Sequence, residues 1–456
     1  MSTITESLAG FAAGLRYDDL PDEAIAAGKH FIFDTLGCAL GGLKQEDPSI
    51  YAQVLKFLGG NPQATILGTG EKASLVQATL MNSLLVRVME YNDIYWSQDP
   101  SHPSGLIPVA LAVGEYNGKS GLDTMVAIII AYDIEMRLCD FAKPGIRERG
   151  WHHATLTQLA SPFVAGKLLD LTPLQMVNAA GISGSCHCSM GAVTAGKLTM
   201  MKNTVDPLAS AAGVEAALLA KEGYTGPEHV IDGKEGLMQV LGDSWDENAV
   251  LDGLGERFKI AECGMKAYPT EALTHAPITA TLRIVRENKL KPEDIRAVWV
   301  KTIARAADIL SDPTKYDPKS KETADHSLPY CLAAALARGK VTPEEFTEEN
   351  INASDIRRFL PMIRVEADDS YEALFPIKQP TLVAIETVSG ERFEAYVEYP
   401  KGHPRMPMEK EELLQKFSVL ASPEMSEQRI GSIYDLVQRF ENLDSLIPLV
   451  DAIRIK

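Results

Sequence analysis

The sequence predicts a mainly α-helical protein with a large all-helical domain and a smaller α+β domain. Apolar residues recur at helical spacing through about the first 265 residues, and some segments are apolar all round, which is typical of helices buried in a large bundle. β-Branched alternation begins after about residue 270, and helical spacing returns after Pro407. We therefore expect a discontinuous helical domain of residues 1–268 and 405–456, and an α+β domain of residues 269–404.

The helices are predicted from apolar periodicity and from their terminal signals. The segment 22–42 ends in Gly41-Gly42, a natural C-terminal stop. The same pattern predicts helices in the first domain over residues 75–89, 106–116, 122–139, 154–169 and 205–221. Further along the chain it predicts helices over residues 327–338, 343–347, 409–421, 424–441 and 445–453.

Strands are predicted only in the smaller domain. Residues 295–303 alternate and are rich in β-branched side chains. The segments 381–388 and 391–399 flank Ser389-Gly390, which is a hairpin signature. These strands, with helices between them, indicate an α+β unit.

Composition restricts the classes of function. The chain has 456 residues, 45% of them apolar, and a net charge of −18, which indicates a globular protein whose acidic surface repels nucleic acid and anionic membranes. No stretch reaches the ~20 apolar residues of a transmembrane helix. The N-terminal segment carries Glu6 and lacks the basic region of a secretory signal. We expect a cytoplasmic protein with no nucleic-acid or membrane partner, although a local basic pocket for a small anion is compatible with this composition.

Cysteine usage and motif content narrow the chemistry further. The six cysteines are scattered and contain no CxxC, so neither a disulfide framework nor a metal cluster is predicted. The segment Cys186-His187-Cys188 is interpreted as small residues in a packed helix or loop rather than as a metal-site fragment. The sequence also lacks the GxGxxG, Walker, GxSxG and HExxH motifs. We therefore expect no metal and no cofactor.

A first group of candidate site residues flanks one loop between two predicted helices. Glu90, Asn92 and Asp93 precede this loop, and His102 and Ser104 follow it. A carboxylate and an imidazole at the ends of two helices can serve as an acid/base pair. The alternative is that these side chains only cap the helices beside a solvated loop.

Further candidates lie on other segments. His152 and His153 precede an apolar helix, and adjacent residues do not share a helix face, so we expect at most one of them to enter a pocket. Cations and a histidine that can bind carboxylates follow at Lys197, Lys202, Lys266 and His275. Taken singly, each lysine is also compatible with an ordinary surface position.

Seven blocks, in order along nearly the whole chain, resemble the MmgE/PrpD family, which contains 2-methylcitrate dehydratase and cis-aconitate decarboxylase. The blocks are FDTLGCALGGL (33–43), EYNDIYWSQDPSHPSG (90–105), GWHHATLTQLAS (150–161), GVEAALLAKEGYTGP (213–227), MKAYPTEALTHAPITA (265–280), ETADHSLPYCLAAALARGKVTPEEF (322–346) and GERFEAYVEYPKGHP (390–404). The resemblance implies a helical domain with an α+β lid, a homodimer, and polycarboxylate substrates handled without an iron–sulfur cluster.

The resemblance also implies roles for individual residues. Asp93, His102, His152, Lys202 and Lys266 match catalytic positions, and Glu90, Asn92, Ser104, His153 and His275 match substrate-binding positions. The dehydratase pattern of this family usually has aspartate where this chain has Glu90, and the extra methylene displaces the carboxylate by roughly 1.3–1.5 Å. Asn203 follows Lys202 where the family often has a second cation.

The function implied by these residues is a cofactor-independent hydro-lyase of a 2-methylcitrate- or citrate-like hydroxy acid, as in propionate metabolism. In such a reaction a base removes the proton α to a carboxylate, cations hold the developing charge, and an acid protonates the leaving hydroxyl. The same side chains permit a cis-aconitate-type decarboxylase or an epimerase or isomerase of an iminodisuccinate-like dicarboxylate. A non-enzymatic binding protein and a helical interaction protein are the alternatives from other classes.

Overall fold

The computed structural model describes residues 2–195 and 198–455, so the candidate Lys197 lies outside the described residues. The chain divides into two compact units, residues 1–263 with 410–456, and residues 264–409. Helices dominate the chain and the four-stranded sheet lies in the second unit, so the mainly α-helical fold class is confirmed.

The first unit is a bundle of helices with two short β-hairpins. The hairpins pair β1 (Ala64–Thr65) with β2 (Lys72–Ala73), and β3 (Asp93–Trp96) with β4 (Pro100–Ser101). The helices before residue 264 are α1 (Ile4–Gly14), α2 (Asp22–Gly42), α3 (Glu46–Leu58), α4 (Leu75–Arg87), α5 (Ile107–Tyr116), α6 (Gly121–Phe141), α7 (Ala154–Leu168), α8 (Pro173–Cys186), α9 (Met201–Lys221), α10 (Leu237–Leu241) and α11 (Glu247–Leu251).

The centre of the bundle is formed by α4, α6, α7 and α9, in which α9 packs on α4 and α7, and α6 packs on α7. Lys202 lies on α9, and the other candidate site residues of the first unit lie in the connections between helices. Glycine permits the closest approaches between these helices. A Cβ on Gly213 of α9 would lie 2.3 Å from the side chain of Ser161 on α7, and one on Gly42 of α2 would lie 2.1 Å from the carbonyl oxygen of Leu85 on α4. Small residues therefore set the spacing of the helices that hold the site.

The second unit is an α+β structure. Its strands are β5 (Gly264–Met265), β6 (Ile295–Thr302), β7 (Ile363–Ala367), β8 (Thr381–Thr387) and β9 (Arg392–Val397). Four of them form a sheet in the order β7-β6-β8-β9, in which only the β6–β7 pair is parallel. The helices are α12 (His275–Glu287), α13 (Ala304–Leu310), α14 (Lys321–Ala324), α15 (Leu328–Arg338), α16 (Glu348–Ile351), α17 (Ser354–Arg357) and α18 (Asp369–Glu372).

The C-terminal helices α19 (Lys410–Ala421), α20 (Glu427–Gln438) and α21 (Ile447–Ala452) belong to the first unit. Phe417 of α19 stacks on Phe33 of α2, with the ring centroids 4.5 Å apart. Beside this pair, the buried Lys416 contacts the carboxylate of Asp34 at 2.6 Å and donates to the carbonyl oxygen of Tyr91 at 2.6 Å. The last helices are thus held to the bundle by an aromatic pair and a buried ion pair.

Most predicted elements agree with the structure to within a few residues. The main differences are the β3–β4 hairpin, where a loop was predicted, and the segment 343–347, where the structure has a 3-10 turn over Pro343–Phe346. Helices α1, α3, α8 and α12, the short helices α10, α11, α13, α14 and α16–α18, and strand β7 of the sheet were not predicted. The unit boundaries at residues 263/264 and 409/410 differ from the expected boundaries at 268/269 and 404/405.

Among the described residues, no helix is both long enough and apolar enough to cross a membrane.

We predict that Lys416→Met lowers the free energy of unfolding by about 3–5 kcal/mol, because it leaves the Asp34 carboxylate buried without its cation. Urea denaturation measures this loss. Adding Asp34→Asn should recover part of it, and Lys56→Met, at an exposed position of α3, is the matched control. A loss below about 1 kcal/mol, the range of a surface ion pair, would contradict the prediction.

Candidate active site

Eight of the ten predicted site residues lie in the first unit, and all eight are buried. They come from the end of α4, the β3–β4 hairpin, the turn before α7 and the first turn of α9: Glu90, Asn92, Asp93, His102, Ser104, His152, His153 and Lys202. Lys266 and His275 are also buried but belong to the second unit. The structure therefore places side chains from four separate segments of the first unit in its interior.

The turn after α4 brings the first residues into position. Helix α4 ends at Arg87, and three residues later Glu90 has a φ of 51°. Such a left-handed conformation is uncommon for a residue other than glycine and is associated with functional sites. It reverses the chain so that β3 can begin at Asp93.

The carboxylate of Asp93 is bound by Ser104. The Ser104 backbone N–H donates to Oδ2 at 2.9 Å, and the Ser104 hydroxyl donates to Oδ1 at 2.6 Å. Burial raises the pKa of Asp93 to about 6, although the bonds from Ser104 oppose this shift. A carboxyl group with such a pKa can exchange a proton near neutral pH.

The imidazole of His102 is oriented by a backbone group. Its Nδ1 lies 2.7 Å from the carbonyl oxygen of Asp93. A carbonyl oxygen can only accept a hydrogen bond, so Nδ1 carries the proton, and Nε2 of the neutral ring has the lone pair of a general base. The predicted closeness of Asp93 and His102 is therefore found. The Asp93 carboxylate, however, binds Ser104, and it is the Asp93 backbone that orients the ring.

His152 has the opposite tautomer. The backbone N–H of Ala154 donates to Nδ1 of His152 at 3.1 Å, so the proton of the neutral ring lies on Nε2. Burial, followed by the charge of His153, lowers the pKa of His152 well below its ordinary value of 6.5. His152 is therefore a neutral hydrogen-bond donor at physiological pH.

The ring of His153 lies close to both other imidazoles. Its centroid is 4.0 Å from that of His152 and 5.4 Å from that of His102. The expectation that at most one of the adjacent histidines enters the site is therefore wrong. His153 is the N-cap of α7 and His152 precedes it, so the rule for helix faces does not apply to either residue.

A buried network of charges connects α4 with α9. Arg87 donates from Nε to Asp206 at 3.2 Å and from Nη1 to Asn92 at 3.0 Å. Lys202 donates to the carboxylate of Glu90 at 2.7 Å, and Arg87 Nη1 lies 3.7 Å from the same oxygen. Lys202 therefore already has an acidic partner in this structure.

Two members of this network were not predicted from the sequence. Arg87 lies in the apolar segment 75–89 that predicts a helix, and Asp206 precedes Pro207 within α9. Asp206 Oδ1 lies 3.2 Å from Nε2 of His153. Burial alone would raise the pKa of Asp206, but His153 and Arg87 hold it well below its usual range. The signal that could have revealed Arg87 is a charged residue near the end of an otherwise apolar helix.

His152, His153 and Asp206 also need to be considered as metal ligands, because one ligand atom from each lies within 4.8 Å of the other two. The hydrogen bonds at this cluster do not favour a metal. Binding a metal through Nε2 of His152 would move its proton to Nδ1, which faces the N–H of Ala154. The other carboxylate oxygen of Asp206 is bound to Arg87. These three residues fit an acid–base cluster better than a metal centre.

In the second unit, His275 is the first residue of α12. Its Nε2 lies 3.3 Å from the carbonyl oxygen of Thr270, and its ring centroid is 5.2 Å from that of Tyr268. Lys266 is 1% exposed and directly follows β5. Both residues are therefore ordered within their own unit, and their roles remain predictions.

The segment after α8 differs from its sequence interpretation. Cys186 is the last residue of α8 and Cys188 lies two residues further on. Both thiols are exposed, so the expectation of tightly packed small residues is wrong here. The segment nevertheless supports the site, because the carbonyl oxygen of Ser189 accepts the backbone N–H of His152 at 2.8 Å.

A helical bundle that buries three histidines beside an arginine and a lysine, with opposite tautomers in two of the rings, has the features of an acid–base enzyme. Residues 6–248 match the MmgE/PrpD N-terminal domain, and residues 268–441 match the MmgE/PrpD C-terminal domain. The chain belongs to the MmgE/PrpD family.

Curated relatives match the chain over nearly its whole length. It is 27% identical to a cis-aconitate decarboxylase of Aspergillus terreus, over 99% of this chain and 96% of the relative. It is 28% identical to the cis-aconitate decarboxylase of Homo sapiens, over 97% and 93% of the two chains. It is 23% identical to the 2-methylcitrate dehydratase of Escherichia coli, over 91% and 90%. These relatives support an enzyme and do not fix its reaction.

We predict that NMR of histidine-labelled protein will show the Nδ1–H tautomer for His102 and the Nε2–H tautomer for His152. His152 should stay uncharged as the pH falls through about 6, because its pKa is lowered by burial. Two-bond proton–nitrogen correlation spectra measure both properties, and single His→Gln variants assign the signals. The exposed His187 is the reference. A positively charged His152 near neutral pH would contradict the structure.

Proposed function

We propose that the protein is a cofactor-independent lyase of a small polycarboxylate, with decarboxylation of an unsaturated tricarboxylate of the cis-aconitate type as its first candidate reaction. The observation that carries this proposal is the pair of complementary imidazoles, His102 with a basic Nε2 and His152 with an Nε2–H donor. Such a pair can move a proton at one atom while stabilising charge at another.

The chemistry of this decarboxylation needs a proton donor and an electron sink. The bond to the departing carboxylate breaks, and its electrons form a new C=C bond. The original C=C electrons move toward the conjugated carboxylate, which becomes an enediolate, and a proton then adds to the adjacent carbon. Hydrogen-bond donors stabilise the enediolate, and an acid supplies the proton.

These steps suit the residues of the first unit. A protonated His102 would deliver a proton from Nε2, and the neutral His152 would donate a hydrogen bond to the developing enediolate. Arg87 and Lys202 provide positive charge, although each is already paired with a carboxylate. Asn92, Ser104 and His153 would orient the substrate. Lys266 and His275 retain the carboxylate-binding roles that the family resemblance implies.

Two considerations favour decarboxylation over the dehydration that the sequence suggested first. The relatives named cis-aconitate decarboxylase from Aspergillus terreus and Homo sapiens share 27% and 28% identity with the chain, against 23% for the dehydratase of Escherichia coli. Residue 90 is also a glutamate, whereas the dehydratase pattern usually has aspartate there. The carboxylate of Glu90 is bound to Lys202. Decarboxylation is therefore tested first.

Dehydration of a 2-methylcitrate- or citrate-like hydroxy acid is the second candidate. It is favoured by Asp93, whose pKa of about 6 suits an acid that protonates a leaving hydroxyl. Epimerisation or isomerisation of an iminodisuccinate-like dicarboxylate would use the same carbanion and return its proton. The family resemblance further implies a homodimer, which light scattering of the purified protein tests.

We predict that the purified protein converts at least one of cis-aconitate, 2-methylcitrate, citrate and iminodisuccinate, as followed by NMR. On that substrate His102→Gln should lower kcat by about two to four decades, the range for loss of a general acid or base. The exposed His187→Gln is the matched control. Activity should survive EDTA. Near-normal turnover by His102→Gln would remove His102 from the reaction, and activity lost with EDTA and restored by a metal would overturn the cofactor-free proposal.

We predict that Lys202→Met and Lys266→Met each weaken kcat/KM by roughly one to two decades, since a lost charged hydrogen bond costs about 1.5–3 kcal/mol. Methionine keeps much of the lysine side-chain length, so changes in packing are smaller. Circular dichroism checks that the variants fold, and the exposed Lys56→Met is the control. Full activity of both variants on every polycarboxylate tested would disprove the proposed carboxylate-binding roles.

A further inference from the structure

The interior of the helical bundle contains a buried acid that the proposed reaction does not use. Glu135 lies on α6 and is 0% exposed. Its Oε1 accepts a short hydrogen bond from the Ser101 hydroxyl and another, at 2.8 Å, from the Thr157 hydroxyl. Its other oxygen, Oε2, is buried and has no hydrogen-bond partner among the described residues.

The two hydroxyl groups connect Glu135 to both histidine-bearing segments. Ser101 is the last residue of β4 and directly precedes His102. Thr157 lies in the first turn of α7, four residues after His153. A single side chain on α6 is therefore bonded to the strand before His102 and to the helix turn that follows His153.

The hydrogen bonds fit a neutral acid better than a carboxylate. In the neutral form, the carbonyl oxygen accepts both hydroxyl groups and the other oxygen carries the proton. An ionised group would leave a negative charge on an oxygen that has no donor, which is costly in a buried site. Burial raises the pKa of Glu135 to about 8, with further contributions from Asp206 and Asp93.

The charges around Glu135 act in the same direction. Asp206 on α9 and Asp93 on β3 disfavour its ionisation, and the thiols of Cys139 and Cys263 are further titratable neighbours. Arg137, two residues along α6, instead binds Asp133 and backbone carbonyl groups of the segment 250–257. The environment thus keeps Glu135 protonated, at a cost in stability above its ordinary pKa of 4.5.

We propose that Glu135 is a positioning residue that must remain uncharged, because it joins the His102 strand to the first turn of α7 and its ionisation would oppose the binding of a polyanion. Loss of its proton would place a third acidic charge beside Asp93 and Asp206. Binding of a polycarboxylate should in turn hold the proton on Glu135, since like charges disfavour ionisation. Substrate binding and protonation of Glu135 are thereby coupled.

Infrared difference spectroscopy tests the protonation of Glu135 without any substrate. We expect a carboxylic-acid C=O band that is lost as the pH rises through about 8, that is absent in Glu135→Gln, and that persists to higher pH in Thr157→Val. Thr157→Val removes a hydrogen bond that lowers the pKa of Glu135. If Glu135→Gln does not fold, the shift of the band in Thr157→Val still assigns it to Glu135. Absence of a titrating acid band in the wild-type protein would overturn the proposal.

Calorimetry with tricarballylate, a tricarboxylate without a hydroxyl group or C=C bond, tests the coupling. The measurement is made at pH 8 in buffers of different ionisation enthalpy. On binding, the wild type should gain at most about half a proton, and Glu135→Gln should gain less. The exposed Glu247→Gln should behave as the wild type. Equal proton uptake by wild type and Glu135→Gln would overturn the coupling.

The activity measurement rests on the proposed function. The alkaline fall in kcat/KM should have an apparent pKa of about 8 in the wild type and should disappear in Glu135→Gln. Glu135→Ala should instead lose activity at every pH, because it removes both hydrogen bonds. An unchanged pH profile in Glu135→Gln would disprove a role for the charge. Failure to bind tricarballylate or to turn over any substrate, with the infrared result intact, would count against the proposed function alone.

Discussion

The placement of Arg87 inside the first unit is the constraint on which the site depends. A guanidinium cannot be buried without partners, and here these partners are Asp206, Asn92 and, at a longer distance, Glu90. The partners fix the end of α4 against α9 and hold the turn in which Glu90 has its positive φ. The start of β3, and with it the position of His102, follows from that turn.

Backbone groups then determine what each imidazole can do. The carbonyl oxygen of Asp93 leaves Nε2 of His102 as an acceptor, while the N–H of Ala154 leaves Nε2 of His152 as a donor. Burial keeps His152 neutral by lowering its pKa. Two identical side chains thus acquire opposite roles, which is the basis of the proposed proton transfer.

Two fully buried acids show how different hydrogen-bond partners can separate functions. Asp93 and Glu135 both have raised pKa values, of about 6 and about 8. Asp93 receives a backbone N–H as well as a hydroxyl from Ser104, whereas Glu135 has only hydroxyl partners and a bare Oε2. Asp93, with a hydrogen-bond donor on each oxygen, suits proton exchange near neutral pH, and Glu135 suits the role of a neutral link.

The sequence by itself determined the helical class, most of the longer helices and the strands β6, β8 and β9, and it pointed to the buried candidates Asp93, His102, His152 and Lys202, because apolar periodicity and local motifs act over short stretches of chain. It did not reveal Arg87, Asp206 or Glu135, which come from separate helices and matter through their partners. The expectation from the sequence that at most one of His152 and His153 enters the site was also wrong. Only the tertiary structure decided tautomers, ion pairs and raised pKa values, since these depend on burial and on atoms far apart in the sequence.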